Sequence, residues 1–175
     1  LVLLNSYGGK AYNDSPKVLF EAMSSHPRFR NYHFVWAFQN PGKFSVPNAR
    51  TVKIDSLEYF LTALKARIWI TNVNIERGLH FKKKSTIYLN AWHGTCPKTG
   101  GNAVSGRSDY DFSYVDLLCC DGEYAKKHYI KDCNAQETNL IYSGRPREDV
   151  LYRLTPEQIK TFRQDLELPE DKKII

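Results

Sequence analysis

The chain has 175 residues, a 42% hydrophobic share and a 13% aromatic share, which predict one globular domain and exclude a disordered chain. Its net charge of +6 favours a polyanionic partner, such as nucleic acid, a phosphate-rich polymer or an anionic membrane face, although evenly spread solubilising charge explains it equally well. No apolar run approaches the ~20 residues that span a bilayer, and no signal peptide precedes the first strand.

Both ends of the chain are interpreted as truncated. It opens directly on the apolar run "LVLLN" and stops on "EDKKII", and its only methionine is Met23. We therefore expect a piece of a longer protein.

The cysteines predict no metal site. The set of four, Cys96, Cys119, Cys120 and Cys133, contains no CxxC pair and no zinc-type spacing with histidine. Cys119 and Cys120 lie inside the apolar run "VDLLCCDG", where small hydrophobic packing is expected. A reduced, cytosolic environment is the economical inference.

The first third of the chain alternates predicted strands with predicted helices. The strands are "LVLLN", "YHFVWAF" and "TVKI". The first helix is "SPKVLFEAMSS", with Ser15 as the N-cap and Pro16 at its first position. The second is "DSLEYFLTALKA", in which a D-x-x-E cap precedes one apolar helical face made of Leu57, Phe60, Leu61 and Leu64.

The remainder continues the pattern. Four further strands are predicted at "RIWITN", "TIYLNAW", "DLLCC" and "NLIYSG", with a helix at "GEYAKKHYIKDC". A last helix, "TPEQIKTFRQDLEL", begins with a Thr155–Gln158 capping arrangement and is predicted to face inward through Ile159, Phe162 and Leu166. Apolar strands separated by helices predict an α/β fold with a parallel sheet covered on both faces.

Ligands of such folds bind beyond the carboxyl ends of the strands. That rule places Ser6 to Lys10, Asn72 and His93 to Lys98 along one rim of the sheet. The stretch from His93 to Asp109 is too long for an ordinary connection, which marks it as a functional loop.

His93 follows a predicted strand and precedes a glycine. Imidazole can take a proton near neutral pH, so a histidine at this rim is a candidate general base. Gly94 lets the backbone approach a ligand, Thr95 offers a hydroxyl and Lys98 offers a positive charge, which together suit a phosphate. The alternative is a structural histidine that bonds a carbonyl group at the strand end.

Two further turns have phosphate-binding character. "NSYGGKAYNDSP" places Lys10 after two glycines and before a helix, but it matches no standard phosphate loop, and a tight connection with an Asx-type cap at Asp14 is the alternative. "YSGRPREDV" carries Arg145 and Arg147, whose guanidinium groups suit phosphate. In the alternative, Arg147 simply pairs with a neighbouring carboxylate, Glu148 or Asp149.

Less specific hypotheses concern the roles of other charged residues. Lys82 to Lys84 form either a solvated turn or a contact with anionic lipid. Asp109 and Asp111 are two loop carboxylates, which is weak evidence for Mg²⁺. His26, His33, His80 and His128 are interpreted as surface or packing residues.

Taken together, four stretches give the chain a family resemblance. "NSYGGKAYNDSPKVLFEAM", "WITN", "YLNAWHGTCPK" and "SGRPREDVL" occur in the order expected of the CDP-glycerol glycerophosphotransferase family, the bacterial enzymes that build teichoic acids. The resemblance covers nearly the whole chain, and W-H-G-T and G-x-P-R-x-D are its most specific parts. Cys96-Pro97 and Glu148 depart from the usual pattern without touching His93.

The resemblance implies an architecture. We expect the amino-terminal, acceptor-side half of a two-domain glycosyltransferase-B-like (GT-B-like) enzyme, a Rossmann-like parallel sheet flanked by helices. Residues 1–171 would form this domain, and residues 172–175 would begin the nucleotide-binding domain that carries the CDP site.

The resemblance also implies a reaction and a set of site residues. Glycerol phosphate or ribitol phosphate would pass from a CDP-polyol donor to a hydroxyl of a lipid-linked polyol-phosphate acceptor, with His93 as general base. Substrate and phosphate contacts are expected at the rim residues, namely Ser6, Lys10, Asp14, Asn72, Gly94, Thr95, Lys98, Arg145 and Arg147. No cofactor is implied with certainty, although Mg²⁺ is a candidate.

The implied location is the cytoplasmic face of the bacterial cell membrane, where the protein would be peripheral and would meet an anionic surface. The isolated fragment is expected to be inactive. Two other readings remain: a sugar transferase of the same architecture and a non-catalytic basic acceptor-binding module. Nucleic acid is not expected as a partner, because the basic residues are spread along the chain.

Overall fold

The computed structural model describes residues 1–95 and 99–174 and contains one parallel sheet. Its strands within this part of the chain are β1 (Val2–Leu4), β2 (Phe34–Phe38), β3 (Ala49–Lys53), β4 (Ile68–Thr71), β5 (Ile87–Asn90), β6 (Leu117–Cys119) and β7 (Leu140–Ile141). They lie in the order β3-β2-β1-β4-β5-β6-β7, and every neighbouring pair is parallel. The strand order reverses direction between β1 and β4, which is where this type of sheet opens a crevice for ligands.

Within the described ranges, α-helices lie in three of the six connections between successive strands, and two more follow the last strand. They are α1 (Asp14–Ser25), α2 (Leu57–Lys65), α3 (Glu123–Cys133), α4 (Asp149–Arg153) and α5 (Pro156–Asp165). Short 3₁₀ turns lie between them, one of them at Gly101–Ala103 in the long stretch after β5. Outside that turn, the described part of the stretch from His93 to Asp109 is irregular, as predicted.

The two faces of the sheet are both covered, as the apolar strands predict. Side chains alternate along a strand, so Leu3 of β1 packs on one face, and Val2 and Leu4 pack on the other. One face adds Tyr59 of α2 and Tyr129 of α3, and the opposite face is covered by α1. The predicted Rossmann-like α/β fold is therefore confirmed.

The predicted start of α1 is wrong by two residues. Asn13, not Ser15, occupies the N-cap, and Ser15 lies buried in the first turn. The carboxylate of Asp14 accepts a hydrogen bond from the adjacent Ser15 amide (2.7 Å) and not from the amide two residues on, so the Asx-type cap at Asp14 predicted as an alternative is not formed. The reason is competition between adjacent polar residues, each of which can begin a helix.

The predicted apolar face of α2 is half wrong: Phe60 packs against the core and Leu64 is partly buried, as predicted, but the other two leucines are not buried. Leu57 and Leu61 are exposed, whereas Tyr59, Thr62 and Ala63 are buried. The N-cap is Ser56, whose hydroxyl accepts from the Tyr59 amide (3.2 Å). A tyrosine is amphipathic, so its ring can pack in the core while its hydroxyl bonds a polar group. Here the Tyr59 hydroxyl donates to the carbonyl oxygen of Ile75.

The capping box of α5 is confirmed, but its inward face is not. Thr155 and Gln158 exchange both hydrogen bonds of the box (2.9 and 3.3 Å). The predicted inward residues Ile159, Phe162 and Leu166 are exposed instead. The helix was correctly predicted because its cap is local, whereas its orientation depends on what packs against it.

Candidate active site

Three connections leave the sheet at its carboxyl edge and meet there. Ser6 and Tyr7 follow β1, Asn72 follows β4, and Trp92 and His93 follow β5. Because β1, β4 and β5 are neighbours in the sheet, these residues converge on one rim. The topology confirms the predicted rim for Ser6, Asn72 and His93.

His93 is held at this rim by its ring. Its Nδ1 lies 2.8 Å from the carbonyl oxygen of Asn72. A carbonyl oxygen only accepts, so Nδ1 donates the proton, and in the neutral ring Nε2 carries the lone pair. Among the described residues Nε2 has no hydrogen-bond partner. The carbonyl bond predicted as the structural alternative therefore exists, and it also prepares a proton-accepting nitrogen.

The ring of His93 is half-buried and faces an open cleft. The cleft has a volume of about 440 Å³ and lies between the His93 loop, the stretch from Thr99 to Tyr110, and α3. His93, Gly94 and Thr95 all line it. An imidazole in this position can meet an incoming hydroxyl group from solvent.

The residue before the histidine has an unusual backbone. Trp92 has φ +46°, in the left-handed region that bulky residues rarely adopt. Its amide donates to Asn90 Oδ1 (2.8 Å), and its ring centroid lies 4.1 Å from that of His93. Such strain is concentrated at functional sites, and here it turns the chain so that the histidine faces the cleft.

Tyr7 lies in the predicted rim stretch Ser6 to Lys10, but the sequence analysis gave it no role of its own. Its amide donates to Asn72 Oδ1 (2.8 Å), and its ring packs edge-on against His93 with centroids 5.9 Å apart. Its hydroxyl donates to Asp14 Oδ2 (2.8 Å). Burial raises the pKa of Tyr7, and the bond to Asp14 raises it further, so the hydroxyl stays a donor.

The Gly-Gly turn after Tyr7 serves packing. A Cβ on Gly9 would lie 2.9 Å from the Gln39 amide, so only glycine fits against the end of β2. The Gly9 carbonyl accepts from that amide (2.8 Å), and the Gln39 side chain donates to Gly8 (3.2 Å). Lys10 is exposed, and its side chain has no polar partner among the described residues. The turn fits the tight connection better than an anion cradle.

Asp14 and Arg147 form the most buried ion pair of the rim. Arg147 Nη1 lies 2.8 Å from Asp14 Oδ2, and the carboxylate is only 6% exposed. Burial alone would raise the pKa of the Asp14 carboxyl, but hydrogen bonds from Arg147, the Ser15 amide and Tyr7 bring it below its usual value. The same Nη1 donates to the carbonyl of His93 (3.1 Å), so the pair ties α1 to the histidine loop.

Arg145 forms a second cluster nearby. It donates to the Asp121 carboxylate and to the hydroxyl of Thr95 (3.3 Å), and that hydroxyl also bonds Asp121 (3.0 Å). A contact with Glu148 at 3.5 Å completes the cluster. The carboxyl end of β6 is thereby joined to the loop after β5.

The predicted site residues are thus brought together in part. Five of them lie next to His93 or are joined to it through one intervening contact: Asn72, Asp14, Arg147, Gly94 and Thr95. Arg145 donates a hydrogen bond to Thr95. Ser6 is buried behind them and donates to Asn13 Oδ1 (2.9 Å), which gives it a supporting position. Lys10 lies apart, and Lys98 lies outside the described residues.

His128 is a residue that the sequence analysis missed. It was interpreted as a surface or packing residue, yet it lines the same cleft as His93. Its Nδ1 lies 2.8 Å from Asp132 Oδ2, and its Nε2 lies 4.0 Å from the Cys133 sulfur. The spacing of four residues between His128 and Asp132 on a predicted helix was the available signal.

The described rim is close to neutral in charge. Its two guanidinium groups, Arg145 and Arg147, are matched by the carboxylates of Asp121 and Asp14. The described ranges contain no group of three or more His, Cys, Asp or Glu side chains able to hold a metal ion. Asp109 is paired with Arg107 (2.9 Å), and Asp111 accepts from the Ser113 amide (2.9 Å).

The lysine run lies away from the rim. Lys82 to Lys84 precede β5, at the amino edge of the sheet, and Lys82 pairs with Asp116 (2.9 Å) while Lys83 and Lys84 are exposed. Over the residues that the structure describes, none of the helices is long and apolar enough to cross a membrane.

The order of the strands and the polar rim define a class, a Rossmann-like α/β domain with a ligand site at the carboxyl edge of its sheet. The model of the CDP-glycerol:poly(glycerophosphate) glycerophosphotransferase family matches residues 1–175. The chain belongs to this family, and the resemblance noted in the sequence is confirmed.

Named relatives agree with this assignment. The chain is 31% identical to the teichoic acid poly(glycerol phosphate) polymerase of Staphylococcus epidermidis, over 99% of the chain and 26% of that protein. It is 27% identical to the teichoic acid glycerol-phosphate transferase of Staphylococcus aureus, over the whole chain and 48% of that protein. The chain therefore spans about half or less of the length of these relatives.

Solved structures show the same fold. The wall teichoic acid polymerase TagF matches with a TM-score of 0.81 and 30% identity, over 98% of the chain and 45% of TagF. Another TagF structure is of a variant with CDPG. A glycosyltransferase from Rickettsia africae matches with a TM-score of 0.53 and 10% identity over 97% of the chain and 50% of that protein, which shows a shared fold alone.

Proposed function

We propose that this chain is the acceptor-side half of a two-domain, GT-B-like transferase that moves glycerol phosphate or ribitol phosphate from a CDP-polyol to a hydroxyl group of a lipid-linked acceptor. The observation that carries the proposal is the His93 ring, which is fixed through Nδ1 on a carbonyl oxygen and faces a 440 Å³ cleft. Membership of a CDP-glycerol-using family supports the donor class.

In the proposed reaction, one bond forms and one bond breaks at the donor phosphorus. The acceptor oxygen forms a bond to the phosphorus that carries the polyol, and the bond from that phosphorus to the CMP oxygen breaks. The hydroxyl proton passes to Nε2 of His93 as the new bond forms, which removes positive charge from the attacking oxygen. CMP leaves with the electron pair of the broken bond.

Charge stabilisation must come largely from outside the described rim. A phosphoryl group in transfer gathers negative charge and needs cations or amide donors around it. Arg145 and Arg147 are already matched by carboxylates, so we assign the surplus positive charge to Lys98 and to the nucleotide-binding half. In this proposal residues 1–171 are the acceptor-side domain, and residues 172–175 begin the other half.

The test is a product assay on the full-length enzyme that contains this chain. Incubation with CDP-glycerol, CDP-ribitol and sugar nucleotides separates polyol-phosphate transfer from sugar transfer by the product formed. The isolated chain is expected to release no CMP until the other half is added back. The same assay with EDTA tests whether the candidate ion Mg²⁺ is required, and flotation with anionic vesicles tests the peripheral, inner-face membrane location.

His93→Asn tests the base. Asparagine keeps a donor for the Asn72 carbonyl but cannot take the proton, so the transfer rate should fall roughly 10²–10⁴-fold while the folded state remains. His33→Ala is the matched control, because His33 is exposed and precedes β2 at the amino edge of the sheet. Near-normal transfer by His93→Asn, with His33→Ala also active, would rule out the assigned base.

A further inference from the structure

The hydrogen bond that fixes the ring of His93 joins two connections that lie beyond the sheet. The ring follows β5, which ends at Asn90. The carbonyl oxygen of Asn72, which accepts the bond, follows β4, which ends at Thr71. In the part of the chain that the structure describes, the last backbone hydrogen bond between these connections runs from the Ala91 amide to the Thr71 carbonyl oxygen (2.8 Å). The ladder between the strands therefore stops before it reaches either end of the His93 bond.

The side chain of Asn90 supplies the next link between the two connections. It is buried, with 1% of the residue exposed. Its Oδ1 accepts from the Trp92 amide (2.8 Å), and its Nδ2 donates to the Val73 carbonyl oxygen (2.9 Å). Trp92 immediately precedes His93, and Val73 immediately follows Asn72. One buried amide therefore bonds both backbone segments that carry the His93 bond.

The Trp92 side of this link holds an unusual backbone in place. Oδ1 of Asn90 bonds the amide two residues further along the chain, which is an Asx turn. Trp92 has φ +46°, a conformation that a bulky residue keeps only where its surroundings enforce it. Without the bond to Asn90, we expect the backbone at Trp92 to relax and the ring of His93 to move away from its carbonyl partner.

The Val73 side of the link fixes the direction of the acceptor. The Asn72 carbonyl group and the Val73 amide belong to one planar peptide unit, so they turn together. The Val73 amide donates to the hydroxyl oxygen of Thr71 (3.0 Å), and the Val73 carbonyl oxygen accepts from Asn90. Because Val73 is held at both of its backbone polar groups, the Asn72 carbonyl oxygen stays aimed at the histidine.

We propose that Asn90 is a positioning residue for His93: by tying Trp92 to Val73, its side chain keeps the imidazole in the Nδ1–H form and leaves Nε2 to take the proton. A side-chain amide suits this place because it carries one acceptor and one donor group, whereas an aliphatic side chain has neither. The inference rests on the proposed function for the use of Nε2, and on the hydrogen bonds themselves for the state of the ring.

The test is the tautomer of His93 in the 175-residue chain, whose sheet has a core on both faces. Two-bond ¹H–¹⁵N correlation spectra of histidine-labelled protein at about pH 8, where imidazole is neutral, distinguish a proton on Nδ1 from a proton on Nε2. The chain has five histidines, and the signals of His93 are those missing from His93→Asn. The parent should show the Nδ1–H form alone. Asn90→Leu keeps the branched shape but removes both hydrogen bonds, so it should lower the Nδ1–H fraction about twofold.

A second variant and a matched control complete this test. Asn90→Ser keeps a hydroxyl acceptor near the Trp92 amide but is too short to reach Val73, so a smaller loss of the Nδ1–H form is expected. Thr86→Val is the control, because Thr86 is equally buried (2%) at the other end of β5 and donates to the Ala66 carbonyl oxygen (3.1 Å). It removes a buried hydrogen bond and should leave the His93 tautomer unchanged.

Two results would overturn the proposal. One is a His93 ring that stays wholly in the Nδ1–H form in Asn90→Leu, or in Asn90→Ser where the leucine variant does not fold. The other is an equal change of tautomer in Thr86→Val.

Transfer by the full-length enzyme gives an independent measurement. Asn90→Leu should lower kcat roughly tenfold with little change in KM, because a displaced base affects the transition state more than binding. Thr86→Val should keep both values near those of the parent. Failure of the parent to transfer polyol phosphate would remove the proposed function and leave the tautomer result standing. A changed tautomer in Asn90→Leu with an unchanged kcat would remove the positioning role alone.

Discussion

Arg145 and Arg147 occupy one turn, on either side of a proline, and look equivalent in the sequence. The structure uses them differently. Arg147 reaches back 133 positions to Asp14, a carboxylate that is almost fully buried, and also bonds the carbonyl of His93. Arg145 reaches Asp121 and Thr95, which lie nearer the surface.

The difference shows that the burial of the partner carboxylate determines how much an ion pair contributes to stability. An unpaired carboxylate in the interior is costly, whereas solvent replaces much of what a surface pair provides. Arg147 therefore fixes the start of α1 against the His93 loop, and Arg145 only supports that loop from the side. Substitutions at the two positions should distinguish an effect on the stability of the fold from an effect on the position of the His93 loop.

The largest effect is expected for Arg147→Ala. It leaves the buried Asp14 without its cation, so the free energy of unfolding should fall by about 3 kcal/mol in urea denaturation. Arg147→Lys keeps a positive charge for Asp14, but the lysine side chain ends one bond short of the Nη1 position that bonds both Asp14 and the His93 carbonyl. The lysine variant should therefore recover most of the stability and less of the transfer rate. Equal recovery of both would mean that the contact with the His93 loop has no positioning role.

A smaller effect is expected for Asp14→Asn, and it depends on pH. The pKa of the Asp14 carboxyl is lower in the folded chain than its ordinary value of 3.8, so ionised Asp14 stabilises the fold above about pH 4. This stabilisation is lost as the pH falls through the lowered pKa. At neutral pH the variant should be less stable by about 1.5 kcal/mol, since a hydrogen bond to a charged group becomes neutral.

The measurement is urea denaturation of parent and variant at several pH values. The difference between their free energies of unfolding should be largest at neutral pH. It should decrease as the pH is lowered from about 4, because only the parent has a carboxylate at position 14 that takes up a proton. A difference that stays constant down to about pH 2 would contradict the stabilising role of the Asp14 charge.

Much of the fold could be predicted because its signals are local. Apolar runs marked each strand, and the Thr155–Gln158 cap marked the start of α5. The faces of α2 and α5 could not be fully predicted, since periodicity identifies a stripe but not its neighbour. Leu57 is exposed while Tyr59 is buried, because the tyrosine finds a carbonyl partner inside.

The site residues also fall into those that local sequence signals could predict and those that depend on distant neighbours. Asn72 and His93 were predicted because strand ends of a parallel sheet share one edge. The pairing of Arg147 with Asp14 was not, since the sequence offers nearer carboxylates in Glu148 and Asp149. The role of Tyr7 was missed because it depends on a left-handed backbone at φ +47°, which no residue pattern in the turn announces.

The smallest effect is expected for Arg145→Ala. Its partner Asp121 can be solvated after the change, so the free energy of unfolding should fall by about 1 kcal/mol or less. Thr95 keeps its bond to Asp121 (3.0 Å) but loses its contact with the guanidinium, so transfer should fall only a few-fold. Arg153→Ala is the matched control, because Arg153 forms an exposed pair with Asp149 (3.3 Å) on α4 and should change stability by no more than about 0.5 kcal/mol. If Arg145→Ala instead destabilised the fold as much as Arg147→Ala, partner burial would not explain why the two arginines differ.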